Sequence, residues 1–460
     1  MESMSLSEVA RATGARVVDR SDGIDGTVRG ICTDTRQASD GSLFFALRGE
    51  NSDGHAYVAQ AFEGGCVGAV VEREIDGAAG PQLVVPDALQ ALGHVARHYR
   101  EKFSIPVIGI TGSVGKTSTK VMVACALRAN LDVLASEKNF NNEIGVPLTL
   151  FNLAPHHQAA IIEMGMRGPG QIADLCAIAR ATVGLITNVG ITHIELLGSR
   201  ESIFRAKGEL IDSLPEDGLA ILPSDDDFAA DLRRMAANHR VITFGVRNQA
   251  DFRATDIAFS PDGASRFNVN GVPFEVRVPG VHHVVNACAA CAVAGELGIT
   301  LTEVAAQLAT FRPPAMRMET RELGDGITLL NDAYNAAPDS MRAALETLAM
   351  MSGGRRTVAI LGDMRELGDW SEPAHRFVGE TAAAHRIDLI LTIGEAARWI
   401  AASTADGSPS IVVSFPDTEM AAREVASLVR PDDIVLVKGS RAMEMERIVE
   451  ALQARFGRLD

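Results

Sequence analysis

Residues Val107 to Ser118 read Val-Ile-Gly-Ile-Thr-Gly-Ser-Val-Gly-Lys-Thr-Ser, an apolar run that enters a glycine-rich turn and then a helix-forming stretch. Glycines there let backbone N–H groups curl around an anion, and the start of the helix adds partial positive charge. The run predicts a phosphate loop in a mononucleotide-binding α/β domain, with Gly112, Ser113, Val114, Gly115, Lys116, Thr117 and Ser118 around the phosphates. Lys116 is expected to reach the terminal phosphates and Thr117 to offer its hydroxyl to magnesium. The spacing is GxxGKT, because the longer GxxxxGK[ST] form would need glycine where Ile110 stands.

The rest of the chain falls into place around that loop. A length of 460 residues suggests about three domains rather than one core. From Ile105 to about Ile299, β-rich runs (PVIGITG, AAIIEMG, VGLITNVG) alternate with helical ones, which predicts crossover connections and a mostly parallel sheet. The stretch DFRATDIAFSPDGASRFNVNGVPFEVRVPG reads instead as antiparallel strands joined by Asp-Gly and Asn-Gly turns, extending one edge. After Pro313-Pro314 the alternation restarts with TLLNDAY, RTVAILGDM, DLILTIG, SIVVSF and DIVLVKGS. The expected fold is α/β in three domains: a small N-terminal α/β domain (1–103), a central P-loop mononucleotide-binding domain on a parallel sheet (104–312), and a C-terminal doubly wound, Rossmann-like domain (313–460).

Charge and cysteine content narrow the function. The net charge of −16 disfavours general nucleic-acid binding. No apolar run reaches the length of a bilayer span, and MESMSLSEVA lacks the basic and apolar parts of a secretory signal, so a cytoplasmic location is expected. The six cysteines lie in apolar segments, and Cys288 and Cys291 form a CxxC inside an Ala-rich helical run with no second pair, which predicts packing rather than metal binding.

A phosphate loop alone fits kinases, GTPases and ligases. The NKxD signature for guanine is absent. Glu163 in AAIIEMG and His193 in ITHIELLGS fall at strand ends, where ligands gather in open sheets, and are candidate magnesium ligands, although a buried structural histidine is the plainer reading of His193. Lys207 in FRAKGEL, taken alone, reads as an exposed helix lysine.

TGSVGKTS, KNFNNEIGVPLTL, EMG, ITNVGITHIELLGS, AKGEL and PGVHHVVNACAA occur in an order that resembles the Mur ligases, ATP-dependent amide-forming enzymes of peptidoglycan precursor synthesis. The resemblance covers the whole chain. NDAYNAAPDSM, ILGDMRELG, LVKGSRAMEMERIVEAL, TDTRQ and GSLFFALRGENSDGHAYV look most like the branch that joins D-alanyl-D-alanine to a UDP-N-acetylmuramoyl-tripeptide, the final cytoplasmic step.

This resemblance implies ATP and two magnesium ions, with Lys116, Lys207 and His193 catalytic and Thr117, Glu163, His193 and Lys207 at the metals, Lys207 as a carbamate. Asn286 and Asp332 match positions near adenine and ribose, and Arg317 an arginine that reaches the nucleotide from the third domain. Asn139, Asn141 and Asn142 match positions that meet substrate and phosphates. Asp34, Thr35, Arg36, Arg48 and Gly49 fall in a segment that looks like the UDP-sugar site, while Tyr334, Asn335 and Asp363 are expected to serve the dipeptide. A monomer is expected. The chain departs from the family pattern at His283, Ala337 and Pro223-Ser224. The alternatives are another ligase of the family, a folylpolyglutamate synthase-like enzyme, or a nucleotide-binding switch.

Overall fold

The computed structural model describes residues 1–18, 26–49, 52–137, 139–260, 263–405 and 409–457. Glu50-Asn51 of the GSLFFALRGENSDGHAYV run, Lys138 of KNFNN, and Asp262 of the expected Asp-Gly turn lie outside them. The described strands build three large sheets and one small antiparallel pair, Met4–Ser5 with Thr27–Val28.

The N-terminal sheet runs Arg16–Val18, Gln82–Val84, Gly68–Val71, Ser42–Phe45, Gly30–Cys32, and its last four strands are parallel. Their shared direction brings the segments that begin at about residues 33, 46, 72 and 85 to one edge.

The central sheet has nine strands. From one edge they are Val133–Ala135, Ala159–Glu163, Val107–Thr111, Val183–Ile186, Leu219–Pro223, Arg240–Gly245 and Phe252–Phe259, all parallel. The antiparallel strands Ser265–Val269 and Val272–Val276 complete it. Asn270 (φ 48°) and Gly271 (φ 84°) form the turn between them, the left-handed pair that a two-residue hairpin requires. Val107–Thr111, Ala159–Glu163 and Val183–Ile186 are buried along their whole length, as continuous apolar runs covered on both faces should be. The chain leaves Val107–Thr111 towards one edge, returns to Ala159–Glu163 and then crosses to Val183–Ile186. The phosphate loop therefore sits where the winding direction reverses.

The C-terminal sheet runs Glu319–Glu322, Thr328–Asp332, Ile434–Lys438, Thr357–Gly362, Leu389–Ile393, Ile411–Phe415, and only its first strand is antiparallel. Its faces feed two apolar clusters. Leu330, Ala359, Leu361 and Leu436 join a cluster that continues through the central domain to Met4. Leu329, Val358, Ile360, Val435 and Val437 face the opposite cluster with Val425 and Ile448. That period of two makes the domain doubly wound. No helix among the described residues is long and apolar enough to cross a membrane.

The junction between the first two domains is tied by polar groups. At the end of helix Ala88–Arg100, the buried Arg100 donates to the carbonyls of Ala179 (3.2 Å), Ile105 (2.9 Å) and Phe103. The neighbouring Tyr99 hydroxyl donates to the Leu153 carbonyl (2.7 Å) and accepts from Glu2 N (2.6 Å). Arg100→Leu would leave the buried Ala179 carbonyl unpaired, at about 1–3 kcal/mol, and would release the part-buried carbonyls of Phe103 and Ile105 at a smaller cost. The first urea transition of the variant should therefore lose at least about 1 kcal/mol, and an unchanged midpoint would refute the clamp.

Candidate active site

The phosphate loop is held from the neighbouring strand end. Asn188, just beyond Val183–Ile186, brackets one residue of the loop: its Oδ1 accepts from Val114 N (3.0 Å) and its Nδ2 donates to Val114 O (2.9 Å). Thr187 Oγ1 also donates to Val114 O (2.7 Å), and Gly190 N donates to Ser113 Oγ (2.9 Å). Gly112 (φ 149°) and Gly115 (φ 82°) take left-handed backbone, and a β-carbon on Gly112 would collide with Thr187 Oγ1. Helix Lys116–Leu127 follows at once, so the open N–H groups of its first turn point the way the loop does.

Beside the loop, Glu163 ends its strand with 1% of its surface exposed. Its Oε1 accepts from Asn141 Nδ2 (2.8 Å) and Thr117 Oγ1 (3.1 Å), and its Oε2 lies 3.1 Å from the Lys120 amine in a close ion pair. Burial alone would raise the pKa of this carboxyl, but Lys120, then Lys116, then the Asn141 amide outweigh it, and the net shift is downward. Glu163 is thus held as a carboxylate.

Three further groups gather at the same end of the cleft. The Lys116 amine folds back onto the carbonyls of Gly112 (2.7 Å) and Ser113 (3.3 Å). Lys207, on helix Arg200–Asp212, is 1% exposed and lines the cleft, which corrects its reading as an exposed helix lysine. Its amine makes no hydrogen bond or ion pair to a described residue, and burial, then Lys116, pushes its pKa well below the ordinary lysine value. His193 meets Glu366 of the C-terminal domain, Nδ1 to Oε2, at 2.6 Å. Burial lowers the His193 pKa; Glu366 opposes that, while Lys116 and Lys207 reinforce it.

The C-terminal domain supplies the facing wall. Asp332 and Lys438 end neighbouring parallel strands in direct register and pair at 2.5 Å, and Lys438 also donates to Asn335 O (3.0 Å). Met316 (φ 58°) and Met318 (φ 54°) are both left-handed, and between them Arg317 lays its guanidinium over the Tyr334 ring at 4.1 Å. Ala337, at the start of helix Pro338–Met351, has no side chain to cap it, and Ser340 Oγ accepts from its N–H instead (3.0 Å).

All seven predicted loop residues line one cleft of about 1850 Å³, together with Asn139, Asn141, Asn142, Glu163, His193, Lys207, Asn286, Arg317, Asp332, Tyr334 and Asn335. Asn286 sits behind the loop, accepting from Thr119 Oγ1 (3.1 Å). Asp363 is not in the wall. It is buried and its Oδ1 accepts from Ala397 N (2.8 Å), so it braces a turn instead of facing a ligand. The N-terminal five are also outside the wall: Arg36 pairs with Asp34 (2.6 Å), Thr35 donates to Gln60 (3.0 Å), and Arg48 pairs with Glu72 (3.1 Å). With Gly49, they occupy the same sheet edge as Asp87 and Gln90, which do line the cleft.

At the positions that depart from the family pattern, His283 is buried with both ring nitrogens unpartnered, and burial holds its pKa well below the ordinary value. It faces the cleft as a neutral ring. Ser224 turns its hydroxyl to Phe244 O (3.1 Å) and leaves Pro223 in the wall. Sequence reasoning missed Lys120, Asn188, Lys438 and Glu366. Lys120 lies one helical turn beyond Lys116 and Asn188 inside the ITNVG run, so both carried a usable signal.

Family models match this chain in three consecutive blocks: "Mur ligase family, catalytic domain" over residues 27–100, "Mur ligase middle domain" over 110–294, and "Mur ligase, glutamate ligase domain" over 316–441. The chain is 38% identical to the UDP-N-acetylmuramoyl-tripeptide–D-alanyl-D-alanine ligase of Synechocystis, over 93% of its own length and 92% of that protein.

The chain belongs to the Mur ligase family.

The Escherichia coli ligase of the same name is 37% identical over 94% of this Mur ligase chain and 95% of its own. Among solved structures, MurF from Acinetobacter baumannii superposes with a TM-score of 0.91 at 32% identity, with 99% of each chain covered. MurF ligase from Thermotoga maritima in complex with ADP gives 0.82 at 28%, covering 93% of this chain and 98% of that one.

In this Mur ligase the loop's shape depends on a bare Gly112. Gly112→Ala would force a β-carbon onto Thr187 and into strained backbone, and should weaken ADP binding at least about tenfold. Calorimetric titration with ADP tests this, and wild-type affinity in a folded variant would sink it.

Proposed function

We propose that this Mur ligase joins D-alanyl-D-alanine to a UDP-N-acetylmuramoyl-tripeptide at the expense of ATP, as a cytoplasmic monomer. Near-full-length identity to ligases of that name supports the reading, and the six unbridged cysteines suit a reducing compartment. The observation that carries it is a single cleft walled by all three domains. At about 1850 Å³ it exceeds the roughly 300–1,000 Å³ of a one-ligand pocket, as an enzyme with three substrates needs.

The phosphate loop takes the triphosphate, consistent with the ADP complex of the Thermotoga ligase. Lys116 exchanges its two carbonyl partners for phosphate oxygens. The tripeptide carboxylate attacks the γ-phosphorus, ADP leaves, and an acyl phosphate forms. The dipeptide amine then attacks the acyl carbon, a tetrahedral oxyanion collapses, inorganic phosphate departs, and the amine loses a proton. Arg317, stacked on Tyr334, closes the nucleotide side, and the walls keep water from the acyl phosphate. We assign Tyr334 and Asn335 to the dipeptide, and the Asp34, Thr35, Arg36, Arg48 and Gly49 edge to the uridine end.

The donors fit a first magnesium ion: the Glu163 carboxylate and Thr117 hydroxyl offer oxygen beside the loop, with phosphate and water to complete the shell. When bound, magnesium supplies positive charge against the γ-phosphate. Among the described residues no three His, Cys, Asp or Glu side chains converge. An imidazole and an amine are poor magnesium donors, so His193 and Lys207 fit a second ion only if Lys207 is a carbamate. A buried, unpartnered amine whose pKa burial pushes well down is suited to that: in its neutral form it adds to carbon dioxide and releases a proton.

Phosphate release from ATP with the UDP-linked tripeptide should depend on D-alanyl-D-alanine, and release that ignores the dipeptide or prefers a single amino acid would overturn the reading. Asn335→Ala should raise KM for the dipeptide about tenfold and KM for ATP less than about twofold; equal effects would remove Asn335 from the acceptor site. Lys207→Ala should lose most turnover and regain part of it with short carboxylic acids, whereas Lys207→Arg should stay inactive. Near-normal turnover of Lys207→Arg would exclude the carbamate.

A further inference from the structure

Two residues in left-handed backbone, neither a glycine, meet across the boundary between the central and C-terminal domains: His193 (φ 63°) and Glu366 (φ 62°). Their contact at 2.6 Å engages His193 Nδ1. The loop that carries Glu366 is fixed on both sides of it. Met364 N donates to His375 Nε2 (3.0 Å), Arg365 N donates to Ser440 Oγ (2.9 Å), and Leu367 is buried in the apolar cluster that runs in from the central domain. Gly368 (φ 50°) packs so closely on Glu195 that an added β-carbon would lie 3.1 Å from Glu195 Cγ. Strained backbone at both ends of one contact persists only where the surroundings over-determine it.

The pair is too exposed to hold two domains together. Just over half of the Glu366 side chain is accessible, and exposed ion pairs hold little energy; the apolar Leu367 contact does the docking. The ion pair adds direction. Glu366 Oε2 stands 2.6 Å from Nδ1, off the line of a hydrogen bond but within reach of a proton on that nitrogen, and Nε2 is left without a partner among the described residues, on a side chain that lines the cleft. We propose that Glu366 is a positioning residue: from the C-terminal domain it sets the tautomer and orientation of His193, so that the Nε2 lone pair is presented to the phosphate end of the cleft only when the two domains are docked. This rests on the ligase reading above for what the ring then serves.

The test uses the full chain labelled with 15N-histidine, with His193→Gln to identify the ring signal. The parent should show His193 as the Nδ1–H tautomer. Glu366→Ala should shift it towards the Nε2–H form, and Glu366→Gln, whose amide oxygen can still accept, should keep it. In turnover, Glu366→Ala should lower kcat about 10–100-fold, as loss of an outer-sphere partner does, with KM for ATP and dipeptide within about twofold; Glu366→Gln should restore most of it. An unchanged ring signal in Glu366→Ala overturns the proposal, and so does a changed tautomer without a fall in kcat. Should the parent itself show no dipeptide-dependent turnover, the ligase reading fails while the ring signal still decides whether Glu366 positions His193.

Discussion

One side-chain amide bracketing both backbone groups of one residue organises the centre of this protein. By accepting from Val114 N and donating to Val114 O, Asn188 joins the loop after Val107–Thr111 to the loop after Val183–Ile186. A phosphate loop must hold the N–H groups at the start of its helix open to an anion before the anion arrives, which the backbone alone does not favour. The bracket, the Thr187 bond and the left-handed glycines hold that shape beforehand, so a phosphate meets donors that need little reorganisation. Everything else is positioned from this platform. Glu163 is one strand over, Lys116 and Lys120 are on the helix that the loop opens, and His193 follows a few residues after Asn188.

The electrostatics at that end of the cleft follow from burial. A chain with a net charge of −16 concentrates Lys116, Lys120, Lys207 and Arg317 around a single buried carboxylate. Desolvation, and then the neighbouring cations, lower the pKa values of Lys116 and Lys207, while Lys120 and Lys116 hold Glu163 ionised. A polyphosphate would relieve this imbalance, since its oxygens carry the negative charge that this end of the cleft lacks. The local field therefore selects for the anion that the loop's geometry accommodates.

How much of this was legible in the sequence depended on the range of the interaction. The three-domain α/β architecture, the loop and the Asn-Gly hairpin turn are local patterns, and all were readable. Lys207 was misread from its own segment, because a lysine on an amphipathic helix looks the same whether its amine reaches water or a closed cleft; only the resemblance suggested otherwise. Asp363 erred the other way. An acid at a strand's carboxyl end resembles a ligand group, yet Gly394 leaves room for its carboxylate to turn inward and accept from Ala397 N. Lys438 and Glu366 were invisible for a third reason: their partners, Asp332 and His193, lie 106 residues away for the first and in another domain for the second.

The distribution of parts among domains carries its own logic. A reaction through an acyl phosphate needs the nucleotide, the carboxylate and the amine to be brought together in order, with water excluded only after the last arrives. If all the binding groups belonged to one rigid sheet, the site would be either always open or always closed. Here the phosphate loop, Glu163, Lys207 and His193 are on the central domain, whereas Arg317, Asp332, Lys438 and Glu366 come from the C-terminal one. The connection between them passes through Met316 and Met318, whose left-handed backbone turns Arg317 into the cleft and stacks it on Tyr334. Because the segment that joins the domains also presents a cation to the cleft, any change in their docking angle moves Arg317 relative to the phosphate loop. Domain arrangement and completeness of the site are in that sense one variable.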